Sequence, residues 1–254
     1  MGRGVSRRVA AAETLQLIGA FSDPLWLIGH APRLADYMEP EGYFHGAYGK
    51  RIDDQLLHVY RKLKTDLNTR QAVIQLWDAD LDNSPGMKDY PCTVALGFTT
   101  YLGIFLNMNV LMRSNDVWLG LPYDMFQFTQ LQLTLARLLG LEPGTYTHTA
   151  WSMHLYLDDI EKSYRVTDPV MNLSADYQPV GIFGPNVKAV RDRAYVIAYT
   201  KYAEPDDLAQ LNQSERWYAE ALQSTWIERS EEVEDDGAAV AGLPAQPSAD
   251  QAAA

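Results

Sequence analysis

The stretch Asn115–Leu133, NDVWLGLPYDMFQFTQLQL, lies where one periodicity gives way to another. Before it, CTVALGFTTYLGIFLNMNVLMRS (92–114) is β-rich and predicts two strands with a turn near Tyr101–Gly103. Within and beyond it, YDMFQFTQLQLTLARLLG (123–140) predicts a helix ending at Gly140, with Phe128, Leu131, Leu135 and Leu138 forming a stripe suited to burial. Asp124 stands in a run that is otherwise mostly apolar or aromatic. A carboxylate there is solvated at an edge, caps the following helix, or is held for a chemical purpose.

Working outward, RRVAAAETLQLIGAF (7–21) predicts a helix: Val9, Ala12, Leu15 and Ile18 recur at helical spacing and Gly19 sits near its end. DDQLLHVYRKLKTD (53–66) predicts a second, amphipathic one, with Leu56, Val59, Tyr60 and Leu63 on one side. RQAVIQLWD (70–78) and GTYTHTAWSMHLYLDD (144–159) alternate as strands do, the latter with Thr145, Thr147 and Thr149 on one face. RAYVIAYTKY (193–202) predicts a last strand. The sum is one α/β or α+β domain over residues 1–230 with a large mixed or antiparallel sheet. From Glu231 the chain is acidic, then rich in Ala, Pro and Gly, so 231–254 is expected to be a disordered tail.

Bulk composition narrows the function. Net charge is −12 and the pI about 4.8, so DNA and RNA are repelled and direct nucleic-acid binding is not expected. A small anionic substrate remains compatible, because a local group of arginines overrides the global field. Cys92 is the one cysteine, which excludes a disulfide within the chain and suits a reducing cytoplasm. No Cys/His metal spacing and no apolar run of membrane-spanning length occurs, so neither a metal site nor a membrane partner is expected.

Several residues have two readings each. Cys92 follows Pro91 and opens a strand: it is a small buried hydrophobe or a nucleophile. Arg113 and Ser114 close an apolar strand: they form a surface ion pair or hold a phosphate. Glu13, in a helix of Ala, Leu and Ile, lies on a solvated face or is a general acid/base whose pKa burial raises. His154 and Tyr156 alternate with Leu155 and are expected on one face of a strand.

Taken together, PCTVALGF (91–98), LNMNVLMRSNDVWLGLPYD (106–124) and TAWSMHLY (149–156) resemble the core of the thymidylate synthase superfamily. That family carries a cysteine after proline, then Gln-Arg-Ser-x-Asp, Leu-Gly-Leu-Pro-Phe-Asn and His-x-Tyr in this order. Upstream, YGKRIDDQLLHVYRKLKTDLNTRQAVIQLWD (48–78) and AAAETLQLIGAFSD (10–23) resemble its Tyr-Gly segment and its glutamate-bearing helix, so the likeness spans about residues 3–165. The resemblance implies an α+β thymidylate synthase-like fold, a large mixed β-sheet packed with helices and dimerising through the sheet.

Residue by residue, the resemblance implies that Cys92 attacks C6 of a pyrimidine nucleotide monophosphate, and that Arg113 and Ser114 bind its 5′-phosphate. Arg70 would reach that phosphate from the other subunit of a homodimer with shared active sites. Glu13 would organise water and move protons at the base, Tyr48 would join that network, and His154 and Tyr156 would hold the sugar 3′-hydroxyl. Asp116 matches a residue that meets the folate, and the one-carbon donor would be 5,10-methylenetetrahydrofolate. Departures from the pattern are Gln71 for a second phosphate arginine, Thr93 for the histidine after the cysteine, and the lack of Gly-Gly-Asp before His154. A further phosphate arginine of the family's N-terminal segment has no counterpart unless Arg3, Arg7 or Arg8 substitutes.

At Asp124 the family carries an asparagine that reads uracil. A carboxyl group fits cytosine instead, one oxygen accepting from N4–H and the other, when protonated, donating to N3. Aspartate here resembles the deoxycytidylate (dCMP) hydroxymethylases of phages and their relatives, which implies water rather than hydride as the last reactant and the host-cell cytoplasm as location. The loop PRLADYMEPEGYFHGAYGK (32–50) has no tryptophan to shield the intermediate from water. The alternatives are a dUMP methylase with Asp124 as a cap, a dCMP methylase, and a catalytically silent member acting as subunit or regulator.

Overall fold

The computed structural model describes residues 5–166, 181–199 and 211–223. Its centre is the hairpin of β2 (Thr93–Tyr101) and β3 (Phe105–Asp116), turned by Leu102 and Gly103, whose φ angles of 54° and 65° are left-handed. Paired positive-φ residues suit the right-handed twist of the strands they join. β1 (Val73–Gln75) pairs antiparallel with β2, and β4 (Glu142–His154) pairs parallel with β3. The sheet is therefore mixed, in the order β1-β2-β3-β4.

The parallel pair needs a long crossover, and helix α5 (Gly120–Leu139) supplies it. Phe128, Leu131 and Leu135 on α5 are fully buried, while Leu138 is half-buried at the stripe's end. Truncating one such buried side chain costs about 2–5 kcal/mol. Gly140 ends the helix in the left-handed conformation, its N–H donating to the carbonyls of Ala136 and Arg137. Leu96, Phe98, Leu106, Met108, Val110 and Met112 point from β2 and β3 into the same core.

The amphipathic helix α3 (Tyr48–Thr65) packs beside α5 and buries Ile52, Leu56, Val59 and Leu63. Helix α1 (Arg7–Gly19) is buried nearly all round, against α3, α5, α7 (Val187–Tyr199) and α8 (Gln213–Gln223). Ser6 caps α1 by accepting from the Val9 N–H. Where α1 ends, α3 begins almost in contact. A Cβ on Gly49 would lie 2.0 Å from the Phe21 carbonyl oxygen, so only glycine lets Tyr48 come this close. Between them, α2 (Pro24–His30), a 3₁₀ turn (Pro32–Tyr37) and a loop cover one end; α4 (Ala79–Asp82) and α6 (Leu157–Tyr164) flank the sheet strands.

Two expectations need correction. RAYVIAYTKY is helical as far as Tyr199, not a strand, because α7 buries Val187, Val190, Ala194, Ile197 and Ala198 at helical spacing against α1. The alternation of Tyr195, Ile197 and Tyr199 mimics a strand, yet Tyr195 and Tyr199 face outward. Tyr156 also lies beyond the strand, at the N-cap of α6, so it does not share a strand face with His154. The tail from Glu231 lies outside the described residues. The sheet's other face is open in the single chain: Val73, Thr145, Thr147, Thr149 and Trp151 are exposed.

Candidate active site

The ends of β3 and β4, the start of α5 and the N-terminal halves of α1 and α3 surround a cavity of about 1590 Å³. Nine of the ten residues singled out from the sequence line it: Glu13, Tyr48, Cys92, Arg113, Ser114, Asp116, Asp124, His154 and Tyr156. Arg70 does not. It is exposed in the connection between α3 and β1, outside the lining.

Cys92 sits just before β2. Its carbonyl accepts from the Arg113 N–H at 2.8 Å, and the Arg113 side chain donates to the carbonyls of Pro91 (3.0 Å) and Tyr90 (3.2 Å). The guanidinium lies over the Trp77 ring at 5.4 Å. Arg113 thus braces the cysteine loop rather than entering a surface ion pair. Burial pushes the Cys92 thiol up; Arg113 opposes this, and the Asp124 and Asp89 carboxylates reinforce it. Arg113 favours the thiolate but is outweighed by burial.

The loop behind the cysteine is anchored by a buried ion cluster. Arg51 donates to both oxygens of Asp82 (2.6 and 2.8 Å) and to the carbonyls of His45 and Leu76, while His45 Nε2 lies 2.7 Å from Asp82 Oδ1. Gly46 donates its N–H to Asp89 at 2.9 Å, where a side chain would collide with the Pro91 backbone.

Tyr48, the first residue of α3, reaches across to Thr93. Its oxygen accepts from the Thr93 N–H (3.1 Å) and hydroxyl (2.9 Å). Burial holds the phenol well above its ordinary pKa, so it is a neutral donor. Asp116 takes the Trp118 and Leu119 N–H groups at 2.9 Å each and turns the chain from β3 into α5. Ser114 Oγ lies 3.5 Å from His154 Nδ1, and the His154 and Tyr156 rings meet edge-on at 5.0 Å.

Asp124 is the fifth residue of α5, and the N-cap is Leu119, so the capping reading is wrong. The carboxyl is buried and faces the cavity. Oδ2 accepts from Asn115 Nδ2 at 2.7 Å and Oδ1 from Gln127 Nε2 at 3.1 Å. Burial raises its pKa to about 7 against the pull of those two donors. Glu13 is not on a solvated face. Half-buried in the same cavity, it is pushed up to about 8 by burial and then by the Asp124 charge. Two carboxyl groups that share a low-dielectric site do not both ionise readily, so one proton is held there at neutral pH.

Sequence reasoning missed Asn115, Gln127, Tyr146 and His148. Gln127 follows Asp124 by three residues on a helix, a spacing that signals contact. The other three become visible only when β3 and β4 align. The proposed stand-ins for a missing phosphate arginine are engaged elsewhere: Arg8 donates to His30 and the Gly29 carbonyl, and Arg7 lies over Trp217. Arg3 is outside the described residues. Cations that do line the cavity beside Arg113 are Arg33, Lys88, Lys162 and Arg165. Gln71 accepts from Lys62 and does not line the cavity of its own chain. Among the described residues no cluster suits a metal ion, and no helix is long and apolar enough to cross a membrane.

Comparison with known proteins bears on the family and the fold. The family described as Thymidylate synthase matches residues 34–174. Two proteins called deoxyuridylate hydroxymethyltransferase, from Bacillus phage SP01 and Pseudomonas phage M6, are each 31% identical, over 204 and 166 residues. The matches take in 70% and 63% of this chain but 52% and 47% of those proteins, so the chain spans about half the length of these relatives. A solved structure, the thermostable thymidylate synthase A from Bacillus subtilis, superposes with a TM-score of 0.57 over 65% of this chain and 63% of its own, at 24% identity, a likeness of fold.

Proposed function

The chain belongs to the thymidylate synthase family, and on that premise we propose that it hydroxymethylates C5 of a pyrimidine nucleotide monophosphate, reading cytosine through Asp124. The observation that carries this is the carboxyl of Asp124, buried beside Glu13 in the cavity that Cys92 enters. Cys92 as thiolate adds to C6, which makes C5 nucleophilic; its loss at the end restores the ring. Arg113 and Ser114 take the phosphate, with Arg113 released from its backbone partners to do so. His154 and Tyr156 face the sugar.

At the base, a protonated Asp124 donates to N3 of cytosine and accepts from N4–H. The same neutral carboxyl can also donate to O4 and accept N3–H of uracil, and the two phage relatives are named for deoxyuridylate. Hydroxymethylation of dUMP is therefore the second reading. Ionised Asp124 loses the donor that N3 of cytosine and O4 of uracil each require, so either base is read by the protonated carboxyl.

The cavity exceeds the roughly 300–1,000 Å³ of a single small-ligand site, and Arg33, Lys88, Arg113 and Arg165 are among its lining, so its size and these cations suit a nucleotide together with a reduced folate and its carboxylates. 5,10-Methylenetetrahydrofolate, when bound, supplies the one-carbon unit to C5. Asp116 and Trp118 line the side of the cavity near α5 where it would lie. Glu13, holding a proton up to about pH 8, exchanges it with the base and with the water that completes the hydroxymethyl group. In the loop expected to admit that water, Leu34 and Tyr37 line the cavity, and Tyr37 is 50% exposed. The open sheet face suits a homodimer, through which Arg70 would serve the partner's phosphate.

The test is direct. The protein is incubated with dCMP, dUMP or CMP and methylenetetrahydrofolate, and the nucleotide mass is read. A gain of CH₂O on dCMP supports the proposal, a gain on dUMP the second reading, and a gain of CH₂ a methylase. No product with any nucleotide would leave a silent family member.

A further inference from the structure

A continuous hydrogen-bonded chain ends on Asp124. The Tyr146 hydroxyl is 2.8 Å from His148 Nδ1, His148 Nε2 is 3.0 Å from Asn115 Oδ1, and Asn115 Nδ2 is 2.7 Å from Asp124 Oδ2. Asn115 is the buried middle member, 2% exposed. It lies near the end of β3, opposite Met153, while Tyr146 and His148 stand further back on β4, opposite Met108 and Val110, and the His148 side chain reaches it along the sheet. We infer that Asn115 is a positioning residue for base selection: it fixes the direction of this chain so that the proton of Asp124 faces the nucleotide. The inference rests on the reading that Asp124 meets the base.

The direction follows from counting donors. Burial lowers the pKa of His148, so the ring is neutral and has one N–H. The Tyr146 phenol, kept protonated by burial, donates to Nδ1. That leaves Nε2–H to donate to the Asn115 carbonyl, and the Asn115 amide to donate to Asp124. Oδ2 is thereby committed as an acceptor from the protein, and Gln127 commits Oδ1 in the same sense. A proton on Asp124 is then placed on the cavity side. With an acceptor at position 115, that proton would be spent on a neighbour instead. The site leaves room for this contact: a Cβ at Gly120 would lie 3.2 Å from Asn115 Nδ2 and 3.4 Å from Asp124 Oδ2. The other titratable groups that feel Asp124 are Glu13 on α1, Tyr48 on α3, Cys92 before β2 and Tyr146 on β4.

The experiment measures dCMP and dUMP binding by calorimetry on both sides of neutral pH, for the wild type, Asn115→Leu and Tyr146→Phe. Ring-labelled histidine is followed by ¹⁵N NMR in the nucleotide-free proteins. The wild type is expected to prefer one nucleotide and to show His148 as the Nε2–H tautomer. Asn115→Leu should reduce the preference by about tenfold or more and move the pH midpoint upward, since Asp124 loses a donor. Tyr146→Phe, a smaller change at the far end of the chain, should mix the His148 tautomers and weaken the preference in the same direction. If both variants lower both affinities equally, with the pH midpoint unmoved, Asn115 is only structural and the inference falls while the reading of Asp124 stands. A wild type that binds both nucleotides without preference overturns the reading of Asp124 and the inference with it.

Discussion

The oxygen of Tyr48 accepts two hydrogen bonds from a single residue, Thr93: one from its N–H at 3.1 Å and one from its hydroxyl at 2.9 Å. With the lone pairs occupied, the phenol proton is left to point into the cavity. Tyr48→Phe removes that donor and leaves the Thr93 N–H without its partner. Turnover is expected to fall about a hundredfold or more. Stability is expected to fall by about 1–3 kcal/mol. Initial rates and urea unfolding measure the two separately.

Asp124→Asn exchanges a carboxyl for an amide where the base is proposed to sit. Efficiency on dCMP is expected to fall and that on dUMP to rise, each by roughly ten- to hundredfold for about 1–3 kcal/mol of hydrogen bonding. Because Leu119 and not Asp124 holds the N-cap, no capping energy is lost. Steady-state kinetics with both nucleotides test this. An equal fall on both, matched by an equal loss of stability, would rule out base reading.

The two raised carboxyl groups make stability depend on pH. Glu13 and Asp124 hold protons up to about 8 and about 7, against 4.5 and 3.8 in an unfolded chain. Between about pH 4 and 8 the folded protein binds more protons than the unfolded one, so its stability falls as pH rises through that window. Below the window both states are protonated, and above it both are ionised. Asp124→Asn should flatten the slope, because one carboxyl is gone and its charge no longer raises Glu13. Unfolding curves of the ligand-free protein across that range measure the slope.

Arg70 is exposed and outside the cavity of its own chain. In a dimer with shared sites, inactive Arg70→Ala and Cys92→Ala proteins should regain part of the activity when mixed after reversible dissociation. Release of tritium from C5 of the nucleotide reports it. A verified heterodimer that stays inactive would argue against sharing.

Much of this site is legible in the sequence because its parts are local. Cys92 after Pro91, Arg113 and Ser114 at a strand end, and Asp124 inside a helix are each marked by neighbours. Helix α7 is not legible, because its tyrosines alternate while the residues that decide its form pack on α1, far away in sequence. Asn115 stands at a position where the family pattern has no preferred residue, and its meaning arises only from His148 on the neighbouring strand. The cap reading of Asp124 fails for a similar reason: Asp116 starts α5 early, by binding the Trp118 and Leu119 N–H groups.

The turn at Leu102 and Gly103 bears on the order in which the molecule forms. Closing it brings β2 against β3 at little loop entropy, and with them Cys92 against Arg113. The parallel pairing of β3 with β4 must wait for the whole of α5, and α1 meets α7 only across most of the chain. Cys92 and Arg113 are therefore neighbours early, whereas Glu13 and Asp124 converge last. Pulse-labelled hydrogen exchange during refolding is expected to protect amides of β2 and β3 before those of α1. A chain stalled between these events carries the thiol exposed, without the burial that keeps it protonated in the finished protein.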